Sequence, residues 1–212
     1  MPAADRIVWI DCEMTGLDPS IDELVEVAVL VTDFELRVVD PGIELVIKPS
    51  DAALEQMGEF VRTMHATSGL DRLIPDGLPL EEAERQVLEY IRRFVPLERS
   101  AHIGGNSIGT DRTFLARYMP SVDQHLHYRS IDVSSIKELA RRWYPRAYFQ
   151  SPEKAGGHRA LADILESVRE LQYYRKAVFT SDEVTSESAR RASEEVVAAF
   201  ADAVSSNTPE VS

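Results

Sequence analysis

The chain has 212 residues, 44% of them hydrophobic and 28% charged, which suits a globular protein with one sizeable core. Its net charge of −13 argues against a long nucleic-acid groove, which needs Lys and Arg along its length, but not against a small site where metal ions meet a short anionic ligand. The single cysteine, Cys12, excludes an internal disulfide framework and a cysteine-based zinc site, and fits a reducing, cytoplasmic setting. No apolar run is long enough to span a bilayer, and the stretch MPAADRIVWID lacks the basic start and long apolar run of a secretory signal, so neither is expected.

In chain order, residues 7–11, 24–33 and 38–48 read as three strands joined by short polar connections, an antiparallel meander. Pro41-Gly42 marks a bulge or turn inside the third run. Residues 53–65 read as a helix closing near Gly69. Residues 80–95 put Leu80, Ala83, Val87, Leu88, Ile91, Phe94 and Val95 on one stripe, bounded by Pro79 and Pro96. A short strand at 101–104 runs into Gly105-Asn106-Ser107. A helix at 111–118 stops near Pro120, a strand at 129–133 leads to a helix at 135–143, 145–157 reads as a loop, and a long helix spans about 158–179. Strands followed by alternating helix and strand make an α/β pattern in one domain, residues 1–180, with no internal repeat. Residues 181–212, with seven acids against two bases, read as an acidic appendage, partly helical and disordered at 205–212.

Three places in this frame carry carboxylates. In WIDCEMTGL (9–17), Asp11 and Glu13 are two apart on a strand, so they share a face and Cys12 points away. Like charges so close must take a proton or a cation. In HIGGNSIGTDRTFL (102–115), Asp111 opens a helix just after a Gly-rich turn. In GGHRALADIL (156–165), His158 and Asp163 are five apart at the start of a helix, with Asp163 beside its packing face. Each has a plain structural reading: a solvated strand end, a first-turn acid, an exposed histidine. Asn106 and Ser107 serve either a phosphate or the turn itself. Taken together, the acids fall at the ends of adjacent elements of one α/β sheet, where such folds keep their sites. Converging, they would need two hard divalent cations, Mg²⁺ or Mn²⁺, which suits phosphoryl displacement with His158 as general base.

In that order, Asp11-x-Glu13, Asp111 and His158-x4-Asp163 resemble the three motifs of the DEDDh 3′→5′ exonucleases. WIDCEMTGL, GNSIGTDRTFL, YRSIDVSSIKEL and HRALADI are similar to signature stretches of the oligoribonuclease subfamily, and the resemblance covers residues 6 to about 178. It implies an RNase H-like fold: a mixed five-stranded sheet, antiparallel meander plus parallel strands, flanked by helices. It also implies metal ligation by Asp11, Glu13, Asp111 and Asp163, and His158 as base. The substrate would be a short RNA, a dinucleotide above all, including linear dinucleotides made from cyclic dinucleotide signals. The products would be 5′-mononucleotides. Leu17 resembles a wedge between two bases, Met14 and His65 would line base pockets, and Ser107, Arg129 and Ser134 resemble a cap over a 5′-phosphate. Tyr128 would come from the partner subunit of a homodimer.

Local readings stand beside these roles. Leu17 is equally a core plug, Arg129 an ion-pair partner of Asp132, Ser134 a helix N-cap and Tyr128 ordinary interface packing. His125-x-His127 reads as surface, and Trp9 and Trp143 as core. The rival functions are a general DEDDh exonuclease on longer RNA or DNA 3′ ends, and a binding module that keeps the fold without catalysis.

Overall fold

The structure, a computed structural model, describes residues 6–153, 157–179 and 184–206, with side chains in the last segment through residue 197. Part of the expected 145–157 loop and most of the C-terminal stretch expected to be disordered lie outside the described residues. The chain divides into two compact units, Met1–Val178 and Phe179–Ser212. In the second, Ser186–Ser206 forms a helix.

The first unit is a five-stranded sheet ordered β3-β2-β1-β4-β5. Strands β1 (Arg6–Met14), β2 (Leu24–Asp33) and β3 (Ile43–Val46) form the expected antiparallel meander. Strands β4 (His102–Gly105) and β5 (Ser130–Asp132) add parallel to β1. β1 does not stop at Asp11 but runs to Met14, because Asp11, Cys12 and Glu13 pair with Ala28, Val27 and Glu26 before a register shift at Glu13/Met14. β3 is shorter than the 38–48 run. Pro41 has no N–H to give to a ladder, and Gly42, at φ 91°, turns the chain.

The helices depart from the reading in four places. Residues 53–65 are not one helix. Gly58, extended at ψ 155°, separates α1 (Asp51–Gln56), capped by Ser50, from α2 (Glu59–Ser68), which ends on left-handed Gly69. After α3 (Leu80–Phe94) and α4 (Gly109–Tyr118), Pro120 begins a further short helix, α5 (Pro120–His125), as proline favours at a first helical position. The N-cap of α6 (Val133–Trp143) is Asp132, whose carboxylate accepts from the Ser134 N–H at 2.9 Å, so Ser134 itself is not the cap. Part of the expected loop forms the short helix α7 (Pro145–Tyr148), and α8 spans Ala160–Ala177.

Alternation along β1 decides what each face meets. Val8, Ile10, Cys12 and Met14 belong to one core cluster with residues of α3, α4 and α5, including Val87, Ile91, Phe114 and Val122. Ile7 and Trp9 belong to the other, with Val133, Ala160, Ile164 and Val168 from α6 and α8. Trp9 is core, its indole N–H donating to Thr32 Oγ1 at 2.8 Å. Trp143, also expected in the core, is 66% exposed. His125 is buried, not on the surface, with Nε2 2.8 Å from the Val95 carbonyl. Among the described residues no helix is long and apolar enough to cross a membrane.

Candidate active site

The β1 alternation puts Asp11 and Glu13 on the Trp9 side, facing α8, and Cys12 in the opposite core. Past the end of β4, the chain enters α4 with Asp111 in its first turn. Asp111 is more than a first-turn acid. It is buried, and its Oδ1 accepts from the Cys12 N–H at 2.9 Å, tying α4 to β1 between the two β1 acids. α8 brings Asp163 in its own first turn, and exposed His158 stands two residues before that helix in the left-handed region, φ 47°.

Asp11, Glu13, Asp111, Asp163 and His158 line one cavity of about 430 Å³, together with Met14, Asn106 and Ser107. Ligand atoms of Glu13, His158 and Asp163 lie within 4.8 Å of one another. Burial first, then the charges of Asp111, Asp163, Glu13 and Glu26, pushes the Asp11 carboxyl from 3.8 up to about 9. Burial, then Asp163, Glu26 and Asp111, pushes Glu13 from 4.5 to about 8, against the opposing pull of Arg159. Burial raises Asp111 to about 7 although the Cys12 N–H stabilises its anion. Acids held this far from their ordinary range, with oxygen donors converging, fit divalent cations that prefer hard oxygen ligands.

Asn106 and Ser107 line the same cavity. Asn106, expected to serve a phosphate or its own turn, bonds across to α6 and α8. Its Nδ2 donates to Ser167 Oγ at 2.8 Å and to Glu170 Oε2 at 3.1 Å, and its Oδ1 accepts from Ser134 Oγ at 3.0 Å. The Ser107 N–H donates to Asp132 Oδ1 and to Ser134 Oγ, each at 3.0 Å, and the two serine hydroxyls are 3.2 Å apart. Ser107 and Ser134 therefore come together as the reading requires.

Other expected residues are placed differently. Leu17 is 75% exposed, which removes the core-plug reading. Asp22 staples its loop, accepting from Thr15 Oγ1 at 3.0 Å and from the Asp18 N–H at 2.9 Å. Its carboxylate lies 2.4 Å from where a Cβ on Gly16 would be, so only glycine fits there. His65 is buried behind Glu13, with Nε2 2.9 Å from the Met14 carbonyl and Nδ1 3.9 Å from Glu13 Oε2. It also lines a second cavity, of about 410 Å³, with Leu54, Met57 and Ile74. Tyr128 and Arg129 precede β5 and so stand at the opposite end of the parallel strands from Ser107 and Ser134. Both are exposed, and the guanidinium of Arg129 lies 5.3 Å over the Tyr128 ring rather than against Asp132.

The reading missed Glu26, Glu44 and Arg159. Arg159 forks onto both acids at 2.8 Å beside the site. The signal was available: Glu26 is the one charge inside the apolar run LVEVAVLV, and a carboxylate in a buried strand must find a partner.

Comparison with known proteins agrees with this geometry. An exonuclease family model, of the RNase T type, matches residues 8–171. The chain is 66% identical to an oligoribonuclease of Leifsonia xyli over 85% of its length and 87% of the relative's. It is 62% identical to an oligoribonuclease of Streptomyces avermitilis, covering 82% of this chain and 88% of that one. Among solved structures, an exonuclease I superposes with a TM-score of 0.64 at 15% identity over 82% of this chain. The zinc-bound form of an E. coli exonuclease I–single-stranded DNA complex gives 0.63 at 15% identity over 81%. The chain spans only 41% and 40% of those two chains, and the likeness is one of fold. The fold, the acid-lined cavity and these identities lead to one conclusion: the chain belongs to the exonuclease family and, within it, to the oligoribonucleases, which are 3′→5′ exoribonucleases.

Proposed function

We propose that the chain hydrolyses very short oligoribonucleotides from the 3′ end, dinucleotides above all, releasing 5′-mononucleotides. Linear dinucleotides opened from cyclic dinucleotide signals are then substrates as well. The observation that carries this reading is the single cavity lined by Asp11, Glu13, Asp111, Asp163 and His158 together with Ser107, whose hydroxyl lies 3.2 Å from that of Ser134. Its volume, about 430 Å³, is that of a small-molecule site rather than of a groove following a polynucleotide. An acidic chain suits a substrate with few phosphates.

Asp11, Glu13, Asp111 and Asp163 would hold two divalent cations, Mg²⁺ or Mn²⁺. When bound, these supply neutralisation of charge at the scissile phosphate and its leaving oxygen. His158 accepts the proton of the attacking water, and its exposure beside Glu13 and Asp163 leaves it free to pass that proton to solvent. Met14 floors the cavity, Leu17 separates the two bases from a stapled loop, and His65 backs Glu13. Ser107 and Ser134 enclose a terminal 5′-phosphate, while Asn106 holds Ser134 in place; Arg129, at the other end of β5, would join them from the second subunit of a homodimer, as Tyr128 would. Tyr128, 71% exposed and away from the carboxylates, would serve this pocket from the second subunit of a homodimer. Residues 1–180 would form the catalytic unit, and 181–212 an appendage to it. A cytoplasmic location fits the lone, buried thiol of Cys12.

The test compares hydrolysis of a 5′-phosphorylated diribonucleotide with that of a long single-stranded RNA, in Mg²⁺ and in chelator. Fast, metal-dependent cleavage of the dinucleotide alone is expected. Equal cleavage of the long RNA would place the chain among general exonucleases, and cleavage of neither would make it a binding module.

A further inference from the structure

The structure holds a second charged constellation beside the cavity. Glu26 on β2 is 0% exposed, and Glu44 on the neighbouring β3 is half-buried. The register pairs Glu26 with Val46 and Ala28 with Glu44, so the two acids lie diagonally on one face, the face that meets α8. Each divides its oxygens in the same way. Glu26 Oε1 accepts from Arg159 Nε at 2.9 Å, and Oε2 accepts from the Ala160 N–H at 2.9 Å. Glu44 Oε2 accepts from the Arg159 guanidinium at 2.8 Å, and Oε1 accepts from the Leu161 N–H at 3.1 Å.

This is an uncommon way to begin a helix. A helix start is normally capped by a side chain of its own segment, but Arg159, at the N-cap of α8, provides no cap. The acceptors come from two strands of the sheet instead, so α8 begins where β2 and β3 dictate. His158 is the very next residue outward, and it occupies a left-handed backbone that a non-glycine residue keeps only where its surroundings impose it. A buried ion cluster is poor evidence of added stability, since apolar packing often serves as well. Its usefulness lies in fixed geometry, and a guanidinium fork fixes geometry better than an ammonium.

We propose that Glu26, Arg159 and Glu44 form a clamp that positions His158 for proton transfer, Arg159 and the two acids being positioning residues that do not touch the substrate. This rests on the assignment of His158 as the proton acceptor.

The experiment is a double-mutant cycle on the full chain, read as the single-turnover rate of dinucleotide hydrolysis in saturating Mg²⁺, with the dinucleotide affinity measured alongside. Arg159→Lys keeps the charge and loses the fork. It should slow the reaction by about a hundredfold while affinity changes by less than about threefold. In a His158→Ala background, the same substitution should slow the reaction by no more than about twofold, because the group it positions is gone. Slowing by the same factor in both backgrounds overturns the clamp's role. Parental rates in Arg159→Lys overturn it too. If His158→Ala alone turns over at the parental rate, the proton-acceptor assignment fails, and that outcome is distinct from failure of the clamp. Should Arg159→Lys not fold, the milder Glu44→Gln, which leaves the Glu26 pair intact, goes through the same cycle: loss of rate that vanishes without His158 supports the clamp, and unchanged rate overturns it.

Discussion

Glu13 and Glu26 face each other across the β1–β2 ladder, both buried and both on the α8 side of the sheet. Glu26 meets the guanidinium of Arg159 and a backbone N–H. Burial, then the charges of Asp163, Glu26 and Asp111, pushes the Glu13 carboxyl to about 8, and the more distant pull of Arg159 only partly opposes this. Same residue type, both buried, paired positions: the difference lies in what sits beside the charge. The chain supplies its own cation to one acid and leaves the other in a field that an external cation relieves. Burial alone therefore does not mark a functional acid, whereas uncompensated convergence does.

The comparison breaks first at the cavity. Asp163→Ala should lower turnover at saturating Mg²⁺ by about a thousandfold, the scale of losing a charge-stabilising group in a water-poor site. Wild-type turnover in that variant would end the two-cation assignment. His158→Ala should slow hydrolysis by about a hundredfold or more while dinucleotide affinity changes little, as measured by titration in Ca²⁺. An equal loss in rate and affinity would make His158 a binding residue.

A smaller effect sharpens the contrast between the two ends of β5. Removing one charge-assisted contact costs about 1.5–3 kcal/mol, so Arg129→Ala should weaken substrates bearing a 5′-phosphate by roughly ten- to a hundredfold and spare those without it. The ratio of kcat/KM for the two substrates reads this directly, and an unchanged ratio removes Arg129 from the cap.

The last effect is on stability rather than on rate. Folded Asp11, Glu13 and Asp111 hold protons up to about 9, about 8 and about 7, whereas the unfolded chain releases them near 3.8 to 4.5. The folded state then binds more protons across that interval, so metal-free stability falls as pH rises from about 4 to about 9. Thermal unfolding in chelator should show this decline, Mn²⁺ should flatten it, and Asp11→Asn should raise the metal-free melting temperature while abolishing activity. A flat profile in chelator would mean that the acids are already compensated from within.

Much of this was legible locally. The i, i+2 alternation of β1 put Asp11 and Glu13 on one face and Cys12 on the other, and the chain does so. The apolar stripe of α3 was equally plain, since Ala83, Val87 and Ile91 are buried. Illegible were features that depend on a remote partner. β1 runs through its acids because β2 continues to pair with it. Trp143 is exposed although its side chain is apolar. Asn106 looked like a turn residue and turned out to bridge two helices, α6 and α8.

The sequence by itself determined the kind of chemistry, because charge, residue type and short spacing are properties of the chain: four acids and a histidine at the ends of α/β elements, one cysteine, no basic stretch. Only the tertiary structure decided which acids converge and which are satisfied. That choice is made by contacts between residues more than a hundred positions apart, as when Arg159 reaches Glu26 and Glu44. Coulomb energy depends on distance in space and on exclusion of water, and neither is written in the order of residues.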